Sequence, residues 1–246
     1  MIYIKNPSEI ELMRKSGQIV ADVLKLIEDN VKVGVKTRYL DKLAYDYIVG
    51  CGAKPSFLGY GGFPGTICVS IDEEVVHGFP SERVLKDGEI VSIDVGALLN
   101  GYHGDAARTF LVGSVSPEKK RLVEVTKECF FKGIENLMVG STLGDIGRAI
   151  QEHAESNGYS VVREMVGHGI GRNLHEDPAV PNYGRRRTGI RLRRGMALAI
   201  EPMINMGRSE VVIDGWSCVT KDKMPSAHYE NTVVITDEGV EILTLR

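Results

Sequence analysis

The sequence predicts an α+β fold made of two pseudo-symmetric lobes, and three observations carry that expectation. The chain has 246 residues, enough for one large core or two closely joined lobes, since single cores stop growing at roughly 250 to 300 residues. Helical periodicity and strand-like runs come in blocks, helices first and strands after, and the order occurs twice. Landmarks also recur at a nearly constant offset. Gly34 and Gly140 are 106 positions apart, as are Gly52 and Gly158. LKDGEIVSID at 85–94 lies 107 positions before LRRGMALAIE at 192–201, pairing Leu85 with Leu192, Gly88 with Gly195, Ile93 with Ile200 and Asp94 with Glu201. A period this long implies two lobes rather than a solenoid. The expectation is one domain, internally duplicated, with halves of about 1–115 and 116–246.

In the first half, Ser8 and Glu11 form a capping-box pattern. Ile10, Met13, Val20, Leu24 and Ile27 follow at helical spacing, which predicts a helix over 8–29. Thr37 is expected to cap a second helix. Beyond Pro117, Leu122, Val125, Cys129 and Leu137 mark a third, and Thr142 with Asp145 opens a fourth that reaches Asn157. Strands are expected at 66–71, 89–99, 102–112, 160–166, 196–204 and 232–243.

Apolar residues make up 43% and charged residues 26%, so the chain can bury a core and is not predominantly disordered. With 30 basic and 33 acidic residues the net charge is -3, which suggests neither a nucleic-acid-coating nor a strongly membrane-steered protein, though a neutral total can hide a local patch. Glycine is in excess, 28 residues or about 11% against an ordinary 7%, so close backbone approaches and tight turns are expected. Cys51, Cys68, Cys129 and Cys218 form no Cys-x-x-Cys pair, which fits a reducing compartment. Lys5, Glu9 and Glu11 interrupt the start of the chain, so no secretory signal is read there. No run of 18 apolar residues is present to cross a membrane. These features predict a cytoplasmic protein, and the absence of an N-terminal extension fits a compact monomer.

The chemistry concentrates in a few segments. In DVGALLNGYHGD at 94–105, Asn100-Gly101 is a strong hairpin signal, because a type I′ turn needs positive φ at both central residues. A two-residue loop there pairs residues whose numbers sum to 201, so Asp105 faces Gly96 and Asp94 faces Ala107. Asp94 and Asp105 then share a face as diagonal neighbours about 7–8 Å apart. Taken alone, the segment reads equally as a hairpin with two exposed aspartates. VGHGIGRNLHEDP at 166–178 sets His168 and His175 among Gly167, Gly169 and Gly171; the glycines argue against a helical His-Glu-x-x-His motif, and two such histidines alone are more often structural. Glu201 follows the apolar run ALAI, and Glu230 borders TVVI. Two Asp, two Glu and a His form an oxygen-rich set suited to a pair of divalent cations. Four carboxylates packed together without cations would repel strongly.

Read together, PSFLGYGGFPGTICVSIDEEVVHGFP, DVGALLNGYHGDAARTF, GHGIGRNLHEDP, EPMI and AHYENT occur in an order that resembles the bacterial type I methionine aminopeptidases. These are metallo-exopeptidases of the pita-bread (creatinase/aminopeptidase) fold, with helices packed outside a curved antiparallel sheet. The resemblance covers nearly the whole chain. It implies removal of the N-terminal methionine from nascent polypeptides by dimetal-assisted hydrolysis, with a small second residue and a free, deformylated α-amine preferred. It implies Asp94, Asp105, His168, Glu201 and Glu230 as metal ligands, with Asp105 and Glu230 bridging. The cofactors would be two divalent ions of cobalt, iron, manganese or zinc. Glu201 would also shuttle a proton, His175 would stabilise the oxyanion, and His77 would bond the amide beyond the cleaved peptide. Phe57, Tyr60, Phe63, Cys68, Leu174 and Trp216 would line the methionine pocket.

Leu174 departs from the family's usual phenylalanine, and His228 and Asn231 from its frequent Gln and His. A proline-directed aminopeptidase of the same fold is one alternative; those enzymes usually carry a large N-terminal domain, and EPMI and GGFPGTICVS favour methionine. Type II enzymes carry an insertion between the two glutamates, where this chain has only 28 residues. A non-catalytic binding paralogue is the other alternative, and such proteins typically lose ligands that are all present here. RRRTGIRLRR at 185–194 holds six arginines, Arg185, Arg186, Arg187, Arg191, Arg193 and Arg194, and no acid. It reads as a solvated loop or as a basic surface for ribosomal phosphates.

Overall fold

The computed structural model describes residues 1–246. Helix α1 spans Pro7–Asn30 and α2 spans Thr37–Gly50; α3 (Pro117–Ile134) and α4 (Leu143–Ser156) occupy the corresponding places in the second half. The α1 capping box lies two residues earlier than Ser8 and Glu11 suggest. Asn6 Oδ1 accepts from Glu9 N at 3.0 Å, Glu9 Oε2 accepts from Asn6 N at 2.9 Å, and Ser8 only supports Asn6. Pro7 explains the shift, because its fixed φ and missing N–H suit the first helical position. Thr37 starts α2 without capping it: its hydroxyl exchanges bonds with the backbone of Ser81, at 3.0 and 2.8 Å. At the start of α4, Asp145 Oδ2 accepts from both the N–H and the hydroxyl of Thr142 at 2.8 Å, as the sequence predicts. Leu137 falls beyond the end of α3, buried in the following turn.

All strand pairing is antiparallel. In the first half, the hairpin Ile90–Leu99 and Tyr102–Leu111 joins Ile67–Ile71 and Lys54–Pro55 in one sheet. In the second, five strands run in the order Gly239–Ile242, Asn231–Thr236, Ala197–Ile200, Gly167–Gly169, Glu176–Val180. Three expected strands are broken up. The 196–204 run splits into Ala197–Ile200 and Met203–Asn205 in different sheets, because Pro202 has no N–H for a continuous ladder. The 232–243 run is a hairpin turning at 237–238, and the 160–166 run keeps only Ser160–Val161 before the chain changes sheet.

The halves share more than element order. Gly34 N donates to Leu85 O and Gly140 N to Leu192 O, both at 2.9 Å. Isolated bridges join Lys36 to Val84 and Thr142 to Arg191. The paired glycines adopt matching left-handed backbones, with φ of 89° and 95° at Gly34 and Gly140, and 85° and 80° at Gly88 and Gly195. Each half also has its own apolar core. One draws on residues between Ile19 and Val112; the other, apart from Ile90 and Val115, on residues between Leu122 and Ile235. A third cluster, with Phe57, Phe63 and Cys68 from one half and Ile170 and Leu174 from the other, fills the junction.

Candidate metal centre

Beside the carboxylates the junction is held by backbone pairing and by the Thr232 hydroxyl. Glu230 N donates to Ala107 O at 3.0 Å, and the buried Thr232 hydroxyl accepts from Asp105 N at 3.0 Å while donating to Asp105 O at 2.9 Å. Asp105 and Glu230, from different halves, are thereby fixed side by side. The hairpin has the predicted register: Leu99 pairs with Tyr102, Gly96 with Asp105 and Asp94 with Ala107, and Asn100 and Gly101 have φ of 52° and 80°. Gly96 opposite Asp105 is a packing requirement, since a Cβ there would lie 2.7 Å from Ser56 Cβ.

His168 is carried in from the second half by Gly167–Gly169, paired with Ala197–Ile200. A Cβ at Gly167 would meet Ala199 O at 2.3 Å, so only glycine lets these strands close. The His168 Nδ1 lies 2.8 Å from Gly169 O, which makes Nδ1 the protonated nitrogen and turns the Nε2 lone pair inward. His168 Nε2 stands 3.9 Å from Asp105 Oδ2 and 3.8 Å from Glu201 Oε1. Ligand atoms of Asp105, His168 and Glu230 lie within 4.8 Å of one another. Asp94 closes one side of this group and Glu201, just before Pro202, the other.

These residues fit divalent cations. Burial raises the pKa of Asp94, reinforced by Glu201 and opposed by His228, to about 6, and burial raises Glu201 to about 8. Burial, then their acidic neighbours, pushes Asp105 and Glu230 upward too. Burial lowers His168 to about 3, so it is neutral and able to ligate. At neutral pH the bare cluster would hold protons that cations replace. Asp94 Oδ1 and Asp105 Oδ1 are buried without any hydrogen-bond partner, as ligand oxygens facing a cation would be.

Above the carboxylates lies a small cavity of about 50 Å³. Its floor is Asp94, Asp105, His168, Glu201 and Glu230. Its walls are Phe57, Tyr60, Phe63, Cys68, Leu174 and Trp216, with His77 and His175. Every candidate site residue read from the sequence therefore lines one cavity. Trp216 packs edge-on against Phe63 at 5.4 Å and against His77 at 5.8 Å between ring centroids. Tyr60 OH lies 2.8 Å from His175 Nδ1, and the His175 ring is 4.3 Å from that of His168. His77 adopts φ 63°, uncommon for a residue with a Cβ, and burial lowers it to about 4.

Several supporting residues were not singled out from the sequence. Thr232 is one. Arg108 is another; its guanidinium donates to Glu230 O and to Asn231 Oδ1 and lies over the Tyr229 ring at 4.1 Å. Asn182 Nδ2 holds Glu201 O at 2.9 Å. Arg108 and Thr232 lie within DVGALLNGYHGDAARTF and AHYENT, but their contacts could not be read from those motifs, and Asn182 stands in none of the quoted motifs. The hairpin Val211–Asp214 and Ser217–Thr220, which presents Trp216 at its turn, could have been found from Asp214-Gly215 between two strand-like runs.

The arginine-rich run does not line the cavity. It packs on the start of α4, where a Cβ at Gly144 would meet Arg185 O at 2.2 Å. Its acid-free sequence acquires acidic partners in space: Arg186 pairs with Glu152 at 2.6 Å and Arg194 with Asp237 at 2.8 Å. No helix is long and apolar enough to cross a membrane. All four cysteines are free thiols, and only Cys51 is exposed.

Metallopeptidase family M24 matches residues 11–237. A Clostridium acetobutylicum protein named methionine aminopeptidase is 56% identical over 248 residues, covering 100% of this chain and 99% of that one. The crystal structure of methionine aminopeptidase from Rickettsia prowazekii superposes with a TM-score of 0.98 at 45% identity, with 100% of each chain covered. A prolidase from Pyrococcus furiosus gives a TM-score of 0.81 at 26% identity, with 99% of this chain but 65% of that one covered.

Proposed function

The chain belongs to metallopeptidase family M24, and on that footing we propose that it is a bacterial type I methionine aminopeptidase of the pita-bread fold. The observation that carries the activity is the 56% identity to a methionine aminopeptidase across essentially the full length of both chains. The proline-directed alternative is disfavoured by the prolidase comparison, in which the similarity spans 65% of that enzyme.

Asp94, Asp105, His168, Glu201 and Glu230 would together hold the two divalent ions, with Asp105 and Glu230 placed between the halves. When bound there, such cations would supply Lewis acidity and a nucleophilic water near neutral pH. The remaining work falls to the protein. Phe57, Phe63, Cys68, Leu174 and Trp216 enclose the methionine side chain, whose thioether suits aromatic edges and sulfur. A free α-amine has a lone pair that the bound cations would accept, whereas an acylated or internal amine does not, which would account for exopeptidase action. Tyr60 donates its hydroxyl proton to His175 Nδ1, leaving Nε2–H to bond the developing oxyanion. His77, neutral at pH 7, bonds the next amide. Glu201 takes the proton from the attacking water on a carboxylate oxygen and hands it to the departing amine. We read the two halves as an internal duplication, and the free cysteines as fitting a cytoplasmic enzyme.

The test is hydrolysis by protein reconstituted with cobalt or manganese. Met-Ala-Ser should be cleaved and Ala-Pro-Ala left intact. The reverse preference would select the proline-directed reading, and activity on neither the binding paralogue. Substrates would reach the site as nascent chains, and the guanidinium groups of Arg185, Arg187, Arg191 and Arg193, which pair with no acid, supply the basic surface for ribosomal phosphates.

A further inference from the structure

The two oxygens of the Glu201 carboxylate meet two different histidines. His168 Nε2 lies 3.8 Å from Oε1, and His228 Nε2 lies 3.6 Å from Oε2. No lysine or arginine side chain comes within 4.0 Å of that carboxylate. His228 is 2% exposed, and its Nε2 is buried with no hydrogen-bond partner closer than 3.5 Å. A polar nitrogen in that state is costly unless a short adjustment completes a bond. A few tenths of an ångström toward Glu201 would complete one.

The ring is held where it can act. His228 N donates to Thr109 Oγ1 at 2.9 Å, and Thr109 Oγ1 donates back to His228 O at 2.9 Å. With that proton committed, the Ser92 hydroxyl at 2.8 Å donates to Thr109 in turn. His228 also faces Met203 across an antiparallel pair, two residues beyond Glu201. Strand pairing thus fixes the spacing of histidine and glutamate, and the Thr109 clamp fixes the histidine backbone.

We propose that His228 is a positioning residue for Glu201, its Nε2–H holding Oε2 so that Oε1 is kept facing His168 and the cation they share. The inference rests on the functional assignment of Glu201 above. It gives a role to a residue that stands where the family frequently has glutamine, and glutamine too carries an N–H donor on a side chain of comparable reach.

The experiment compares His228→Gln with His228→Met, which match closely in length and shape but differ in the donor. Cobalt affinity is measured by calorimetry, the bound-cobalt visible spectrum is recorded, and kcat and KM are determined with Met-Ala-Ser. The Gln variant should stay within about 3-fold of the parent in cobalt affinity. The Met variant should lose about 10- to 100-fold, the usual effect of removing a group that orients a metal ligand, with a changed spectrum. Its kcat should fall about as far, while KM changes little because the methionine slot is untouched. Should the Met variant fail to fold, His228→Phe takes its place as the donor-free comparison. Cobalt affinity and spectrum unchanged without the donor, or an equal loss in the Gln variant, would overturn the proposal. Failure of the parent to cleave Met-Ala-Ser would instead overturn the functional reading, and the cobalt measurements separate the two.

Discussion

Replacing Lys5 with methionine should destabilise the protein far more than the loss of an ordinary surface charge. Lys5 Nζ lies 2.6 Å from Glu176 Oε2, with side-chain exposures of only 5% and 2%. The surroundings are tight: a Cβ on Gly171 would lie 2.5 Å from Lys5 Cε and 2.8 Å from Glu176 Oε1. Lys5→Met keeps the aliphatic stem but strands the Glu176 carboxylate, whose remaining donor is Asn173 N at 3.2 Å. Removing one partner of a buried pair costs about 3–5 kcal/mol, against about 0–1 for an exposed one. For a chain of this size each kcal/mol moves Tm by about 2–4 °C, so a fall of about 6–20 °C is expected. The double variant Lys5→Met/Glu176→Gln should recover much of it, because the stranded charge is gone and the amide oxygen can still accept from Asn173. Urea and thermal unfolding at one fixed metal concentration provide the measurement. Because Glu176 follows His175 in the chain, kcat on Met-Ala-Ser should also fall in the single variant. A loss below about 1 kcal/mol, or a double variant no better than the single, would refute the reasoning.

Asp105→Ala or Glu230→Ala should abolish activity and loosen both ions, measured as bound metal after dialysis, whereas His175→Ala should keep its metal and slow turnover by about 100-fold or more. Full metal loss in His175→Ala would contradict its placement. Thr232→Val removes two bonds to the Asp105 backbone and leaves both groups buried, so a loss of about 2–4 kcal/mol in urea unfolding is expected. Met-Ala and Met-Gly starts should be cleaved well, Met-Lys and Met-Phe poorly, and formylated peptides not at all; equal rates across second residues would sink that specificity. Replacing Arg185, Arg186 and Arg187 with Ser should weaken cosedimentation with ribosomes across a salt series while small-peptide cleavage stays nearly unchanged. Undiminished cosedimentation would exclude these three as the docking element.

The first half of the site was legible because its geometry is local. Asn100-Gly101 dictates a turn, the turn dictates register, and register alone puts Asp94 and Asp105 on one face. Glu201 and Glu230 were legible only as carboxylates bordering apolar runs, since what brings them to the aspartates is pairing between segments over a hundred residues apart. The break at Pro202 was missed because an apolar run on each side of EP reads as one strand, although a proline inside such a run should demote it. Thr232, Arg108 and Asn182 were invisible for a different reason: each acts on a backbone group, and the sequence does not show which backbone amide or carbonyl will be left without a partner.

The Asn100–Gly101 hairpin constrains how the gene can change length. Both tip residues are exposed, and nothing lies within 4 Å of where a Cβ on Gly101 would sit. Codons added at the tip would extend a loop into solvent and leave every strand pair in place. A single codon added between Tyr102 and Asp105 would be another matter. Side chains alternate faces along a strand, so an odd shift would turn the carboxylate of Asp105 away from Asp94 without altering one amino acid of the motif. Among descendants of this sequence, insertions and deletions should gather at the tip and be absent, or come in compensating pairs, along the ten residues on either side of it.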